Sequence, residues 1–400
     1  MAIIMHVDFN AYFASVEQQA NPFLRGRAIG IGGKPGTRSV ITTASYNAKA
    51  LGVKTAMSSW EAAKICPELE MIHGDSNKYN EVTRRLMQIL SRYSPTILQT
   101  SIDEAFVDLT YQTKDWLGAI GIALNVKQDL AREIGPYVTA SIGIADNAPM
   151  AKIAGESNKP DGLTVVRPEH YQEFLSHVLL TDIPGIGTNI LRHLEELGIS
   201  TIKQLRLTPL SLLLDEFKQY GHFLYNISRG IGSQTLERSD LPPKSISHSH
   251  TPPRDVSDPL LIRGVFLQLC ERVAYRLRVQ NVSACSLDVL YKSGDRHFSS
   301  THRQFDTPTQ DGMMLFNTAW PHLVSYLETS RLRLIGVRVS ELVPAHYQLS
   351  TNKKEQKSAI LLPVLDTLSA KFGQHVWMRA ATIHSKLVEK TSGWRSDHSN

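Results

Sequence analysis

Cysteine is scarce, with Cys66, Cys270 and Cys285 the three in 400 residues. None stands in a CxxC spacing, which argues against both a structural zinc site and a disulfide framework and favours a reducing compartment. Long hydrophobic runs are missing too: no stretch of about eighteen apolar residues occurs, so no membrane-spanning helix is expected. The opening MAIIMHVD lacks the charged region and cleavage site of a secretory signal and reaches an acid at Asp8. These absences together predict a cytoplasmic protein. Charge is nearly balanced, with 43 Lys and Arg against 38 Asp and Glu for a net +5. That mild basic bias suits a polyanionic partner without requiring one.

What is present is the composition of an ordinary globular protein, 42% apolar and 20% charged. A chain this long exceeds what one core usually supports, so about two to four domains are expected. Residues 2–8 (AIIMHVD) read as a buried strand that delivers Asp8 to a sheet edge. A helix follows from Asn10 to about Gln19, then a short strand in AIGIGG, a turn in KPGTR, and a strand VITTAS leading into the helical YNAKALGVK. A long helix at 77–93 precedes TILQTSIDEAFVDL, two short strands around a tight turn bearing Asp103 and Glu104. A helix at 115–134, the strand VTASIGIA and a helix from about Ala148 complete an α+β pattern, with helices expected on one face of the sheet. Residues 180–197 read as a glycine-containing hairpin between short helices. The Pro-, Ser- and His-rich stretch 232–258 reads as a linker, and a further module starts there with a helix at 259–279.

Asp8, Asp103 and Glu104 are the chemically suggestive residues. Nucleotidyl transfer uses two divalent ions roughly 3.5–4 Å apart, and hard ions of this kind take carboxylate oxygens. One acid ending a central strand and an adjacent pair at a turn between two others can supply them. The spacing alone fits equally well a helix cap at Asp8 and plain turn residues at Asp103 and Glu104.

The wording around these acids is more specific. HVDFNAYFASVE and SIDEAFVDL resemble the palm of the Y-family, or translesion, DNA polymerases, and the resemblance continues through TTASYNAKALGVK, MAKIAGESNKPDGL, the IPGIG hairpin and the module after the linker, over about residues 1–342. It is of DinB (DNA polymerase IV) type, with UmuC-like features in TPTQD at 307–311 and in the tail. The fold it implies is an α+β, multidomain right hand. A ferredoxin-like palm (1–10 and 75–165) is accompanied by small fingers (11–74) and a helical thumb with a helix-hairpin-helix (166–231). A linker (232–244), an α+β little finger (245–342) and a tail (343–400) follow.

The same resemblance implies low-fidelity, template-directed DNA synthesis in damage tolerance, on primer-template DNA with deoxynucleoside triphosphates, by a monomer using two Mg²⁺ ions. The ligands fall on Asp8, Asp103, Glu104 and the backbone carbonyl of Phe9. Thr43, Tyr46, Lys49 and Lys159 match triphosphate-contacting positions, although relatives commonly carry arginine where Lys49 stands, and lysine lacks the planar fork. Phe13 matches the steric gate that excludes a 2′-hydroxyl. Asn10 stands where relatives often have aspartate and is not counted as a ligand. Pro184, Gly185, Ile186 and Gly187 match the hairpin that contacts the DNA backbone. In the tail, Gln348 and Leu349 match the start of a sliding-clamp docking segment whose final hydrophobic pair is missing. The competing reading is a catalytically silent Y-family adaptor between clamp and other polymerases, a class that usually loses the acidic ligands. A metal-dependent nuclease is the third.

Overall fold

The computed structural model describes residues 2–33, 38–236, 243–294, 298–345, 353–373, 376–383 and 385. They form two compact units, one built on Met1–Ser239 and one on Asp240–Glu389. No helix among the described residues is long and apolar enough to cross a membrane.

The first unit runs β1 (Ile4–Phe9), α1 (Tyr12–Ala20), β2 (Ile29–Gly32), β3 (Thr43–Ala44), α2 (Tyr46–Ala50), α3 (Ser59–Ile65), β4 (Glu70–His73) and α4 (Ser76–Leu90). It continues with β5 (Ile97–Gln99), β6 (Glu104–Asp108), α5 (Trp116–Glu133), β7 (Ala140–Ala145), α6 (Ala148–Ser157) and β8 (Leu163–Val165). Then come α7 (Tyr171–Ser176), α8 (Thr188–Glu196), α9 (Ile202–Leu207), α10 (Leu210–Phe217) and α11 (Tyr220–Ile227).

The main sheet has the order β5-β6-β1-β7-β8, so β1 lies at its centre and every one of its residues is buried. Successive side chains of a strand point to opposite faces. Met5, Val7 and Phe9 pack with Tyr79 and Leu86 of α4 and Ala119, Ala123 and Val126 of α5. Ile4 packs with Phe106, Ala145 and the α6 residues Met150, Ala151 and Ala154. Helices therefore cover both faces, not the single face expected from the sequence. Two glycines permit the second layer. A Cβ on Gly143 of β7 would lie 2.0 Å from the Ala151 carbonyl oxygen and 2.2 Å from the Gly155 nitrogen, so α6 rests directly on the strand backbone. A smaller sheet, β3-β2-β4, has its own core of Ile41, Ala44, Ala48, Val53, Ala62 and Cys66.

The second unit contains β9 (Ser245–His250), α12 (Pro259–Val279), β10 (Val282–Ser293), β11 (Phe298–Thr309), α13 (Gly312–Thr329), β12 (Leu332–Pro344) and α14 (Lys353–Phe372). Its four-stranded sheet has the order β11-β10-β12-β9 and is antiparallel throughout. Leu287, Val289, Ile335, Val337 and Val339 face a core shared with Phe266, Leu269 and Val273 of α12 and Leu315, Ala319 and Leu323 of α13. The alternate positions carry Ser286, Asp288 and Arg338, with His302 opposite Asp288. Asp288 accepts from Arg338 Nε at 2.9 Å and lies 3.0 Å from His302 Nδ1.

One feature of this unit departs from the sequence reading. Residues 245–250, part of the polar stretch 232–258 read as a linker, form edge strand β9 paired to β12, with Ile246 buried between serines. The apolar residues of the tail, AILLPVLDTLSAKFG, lie largely on α14, which is fastened to α12 by a bidentate pair between Arg278 and Asp366 at 2.5 and 2.8 Å. Gln348 and Leu349 lie outside the described residues.

Candidate active site

Strand pairing puts Asp8 of β1 directly opposite Glu104 of β6 and Ser141 of β7. The ladder continues one residue further: Phe9 N–H donates to the Asp103 carbonyl at 2.9 Å and Asn10 N–H to the Thr139 carbonyl at 2.9 Å. The acids are thus fixed by the backbone at one end of the three central strands. Among the described residues, His6, Asp8 and Glu104 form a group whose ligand atoms lie within 4.8 Å of one another. Asp103 is not in that group. Its carboxylate accepts from the Ser101 hydroxyl at 2.5 Å within the turn, and the same hydroxyl accepts the Asp103 N–H at 3.3 Å. Asp8 and Glu104 are therefore brought together, while Asp103 is adjacent and held by its own turn.

Two lysines reach the pair from α6 and the residues after it. Lys152 hydrogen-bonds Glu104, and Lys159 donates to Asp8 and to Glu156, 2.8 Å in each case. Burial raises the Asp8 carboxyl above its ordinary value even with that ammonium beside it. Burial acts in the same direction on Glu104, but the nearby His6 ring and the hydrogen bond from Lys152 outweigh it and hold Glu104 well below the carboxylate range. His6 is fully buried, and its Nε2 lies 3.4 Å from Glu104. Neither ring nitrogen has an aligned hydrogen bond. A pocket of hard oxygen donors, with one carboxyl raised despite a lysine at hydrogen-bond distance, fits added divalent cations.

The other predicted residues surround this edge. Lys49 Nζ sits 4.7 Å from the Tyr46 ring centroid. Burial, then repulsion from Lys159, lowers the Lys49 amine, while Asp8 opposes the change. Burial raises the Tyr46 phenol, which also feels both Lys159 and Asp8. Tyr46, Lys49 and Lys159 thus share one electrostatic neighbourhood with Asp8. Thr43 lies on β3, three residues before Tyr46. Phe13 is buried on α1, with its ring stacked on Tyr79 at 4.3 Å between centroids. In the hairpin, Gly185 has φ +104° and its carbonyl accepts the Tyr220 hydroxyl at 2.6 Å. Gly187 is the N-cap of α8 and supplies no side-chain cap, which leaves first-turn N–H groups for an anion.

Sequence reasoning missed His6 and Lys152. Both carried a signal: His6 is two residues before Asp8 on the same strand face, and Lys152 stands on the helix that leads to Lys159. It also left Asn10 without a role. The Asn10 amide donates to Ser141 Oγ at 2.9 Å and accepts from Thr139 Oγ1 at 3.0 Å and from the Asp161 N–H at 2.7 Å, which ties the end of β1 to β7 and to the loop after Lys159.

Residues 7–156 match the impB/mucB/samB family, residues 243–351 its C-terminal domain, and residues 181–232 the thumb domain described for DNA polymerase-iota. DNA polymerase IV of Listeria monocytogenes is 33% identical over 346 residues, covering 86% of this chain and 96% of that protein. DNA polymerase IV of Dehalococcoides mccartyi is 31% identical over 373 residues, 92% of this chain and 95% of that protein. Among solved structures, a Y-family DNA polymerase chimera of Dbh and Dpo4 superposes with a TM-score of 0.75 at 25% identity, covering 86% of this chain and 99% of that one. The insertion ternary complex of Dbh DNA polymerase gives 0.58 at 25% identity, covering 86% and 100%.

Proposed function

The chain belongs to the Y family of DNA polymerases, as a DinB-type enzyme, and we propose that its chemistry takes place at the edge formed by Asp8 and Glu104. It is a template-directed DNA polymerase of translesion synthesis, acting on primer-template DNA with deoxynucleoside triphosphates. In the reaction the primer 3′ oxygen attacks the α-phosphate in line and pyrophosphate leaves. Asp8, Asp103, Glu104 and the Phe9 carbonyl would hold two Mg²⁺ ions. When bound, these supply charge neutralisation at the attacking and leaving oxygens.

The protein's own groups do the rest. Lys159, Lys49, Tyr46 and Thr43 take the triphosphate, with Lys159 exchanging its hold on Asp8 for phosphate oxygens. Lys152 and His6 keep the Glu104 carboxylate ionised and aimed. Phe13, braced by Tyr79, closes the space beneath the sugar. The Pro184–Gly187 hairpin takes a DNA phosphate at the start of α8, and the polar sheet face of the second unit takes the duplex, so binding weakens as salt rises.

Within this reading residues 1–10 and 75–165 are the palm, 11–74 the fingers, 166–231 the thumb, 232–244 a linker and 245–342 the little finger. Gln348 and Leu349 are the clamp-contacting part of the tail, and the enzyme works as a monomer.

The observation that carries the proposal is the register of Asp8 against Glu104 at an edge where two lysines already neutralise buried acid. The test is primer extension with Mg²⁺ on undamaged and abasic templates by wild type, Asp8→Asn, Asp103→Asn and Glu104→Gln. Extension by wild type that is lost in all three variants supports the assignment. Full activity in Asp103→Asn would remove that residue from the ligand set, and an inert wild type would favour the silent adaptor.

A further inference from the structure

Glu17 lies one helical turn after Phe13 on α1 and is only 6% exposed. A carboxylate withdrawn from water needs partners, and it has two. Lys78 Nζ donates to both of its oxygens at 3.0 and 2.8 Å, and the Tyr79 hydroxyl donates to Oε1 at 3.0 Å. Lys78 is about a third exposed, so its charge keeps contact with solvent. Tyr79 is completely buried, and its ring stacks on Phe13 with 25° between the planes. Its backbone is held too: the Tyr79 carbonyl accepts from the Tyr12 hydroxyl at 2.6 Å, and that hydroxyl lies 2.8 Å from Thr83 Oγ1. Thr83 in turn donates to the Ile102 carbonyl at 2.6 Å, next to Asp103.

Packing alone would be served as well by an apolar side chain at position 17, with no charge to bury. What the carboxylate adds is direction, because a hydrogen bond to the phenol fixes where the Tyr79 ring ends and how it tilts. We infer that the Lys78–Glu17–Tyr79 clasp is a positioning device for sugar selection. Glu17 holds Tyr79, and Tyr79 keeps the Phe13 ring in the space that a 2′-hydroxyl would need. The inference rests on the reading of Phe13 as the sugar gate.

The experiment measures kcat/KM for single insertions of a deoxynucleotide and of the matching ribonucleotide, together with Tm, for wild type, Phe13→Ala, Glu17→Met, Tyr79→Phe and the Glu17→Met/Tyr79→Phe double variant. Glu17→Met and Tyr79→Phe should each lower the deoxy-to-ribo ratio about 3- to 10-fold, the effect of losing one hydrogen bond. Replacing both partners removes the unpaired group, so the double variant should recover stability while its ratio stays low and no lower than the worse single variant. A ratio that recovers together with Tm would make the clasp merely structural. A wild-type ratio in both single variants, with a collapsed ratio in Phe13→Ala, would overturn the clasp and leave the gate standing. An unchanged ratio in Phe13→Ala would refute the gate assignment and the clasp with it.

Discussion

Gly143→Ala should damage the enzyme out of proportion to the one methyl group it adds. The new Cβ would lie 2.0 Å from the Ala151 carbonyl oxygen, 2.2 Å from the Gly155 nitrogen and 2.9 Å from the Ala154 carbonyl carbon. All three are backbone atoms of α6, so no side chain can rotate away. Restoring ordinary contact at about 3.4 Å requires the helix or strand to move by roughly 1.4 Å, and overpacking of this kind costs about 1–3 kcal/mol. At about 2–4 °C per kcal/mol for a unit of this size, Tm should fall by roughly 2–12 °C. The functional loss should be larger, because α6 carries Lys152 and leads directly to Lys159. A displacement of about 1 Å at catalytic groups costs on the order of 100-fold in rate.

Two companion variants calibrate the argument. At Gly155 a Cβ meets His6 Nδ1 at 3.2 Å and the Gly143 nitrogen at 3.3 Å, a tight fit that can give slightly. At Gly121, inside α5, it meets nothing within 4 Å, so Gly121→Ala should gain about 0.5–1 kcal/mol from helix propensity alone. Thermal melts and primer-extension kcat/KM should therefore rank Gly121→Ala, Gly155→Ala and Gly143→Ala from best to worst. A Gly143→Ala enzyme with wild-type Tm and rate would refute the claim that backbone contact between β7 and α6 positions the lysines.

Arg278→Ala should loosen the tail helix by about 3 kcal/mol, since it strands Asp366 in a largely buried pair; the check is chemical denaturation beside an Arg278→Met/Asp366→Leu double variant, which should recover most of the loss. His250 has its imidazole pKa lowered by burial and by the neighbouring Arg272 charge. A lowered histidine favours the neutral folded form, so the second unit should lose stability as pH falls below about 6.5 and through the lower folded value. His250→Gln should flatten that slope in melts at pH 5 and pH 7. Lys49→Arg should lower KM for deoxynucleotides by about 3- to 10-fold in steady-state extension, because a fork can pair two phosphate oxygens where the ammonium offers a point charge. An unchanged KM would place Lys49 outside the triphosphate site.

The strand read at 2–8, which lies at 4–9, was legible because a central strand covered on both faces is largely apolar, and against that run the acid Asp8 near its end stands out, His6 being the one other polar residue. Helix α12 was legible over its whole length, Pro259 to Val279, because a sustained apolar period ends in Gln280 and Asn281. β9 was not, since SISHSH has one apolar residue and an edge strand needs only one face covered. The Arg278–Asp366 pair joins residues 88 apart, a distance no local pattern encodes. The orientation of Asp103 was hidden for a different reason. It depends on the Ser101 hydroxyl, and local side-chain hydrogen bonds of this kind compete within turns without changing the sequence period.

Asn10 shows why the site reads as a charge balance and not as a count of acids. Its side chain donates once and accepts twice, and Ser141 Oγ, which accepts from it, also lies 3.4 Å from the Gly162 nitrogen as an acceptor. An aspartate could keep both acceptor roles only if Ser141 turned to donate, and it would place another negative charge two residues from Asp8. The Asp8 carboxyl is already pushed upward by burial against the pull of Lys159. A neutral amide thus fastens β1, β7 and the loop after Lys159 together without further protonating pressure on Asp8. The scarce quantity at this edge is positive charge, which is why two lysines are directed into it from one helix and the loop that follows.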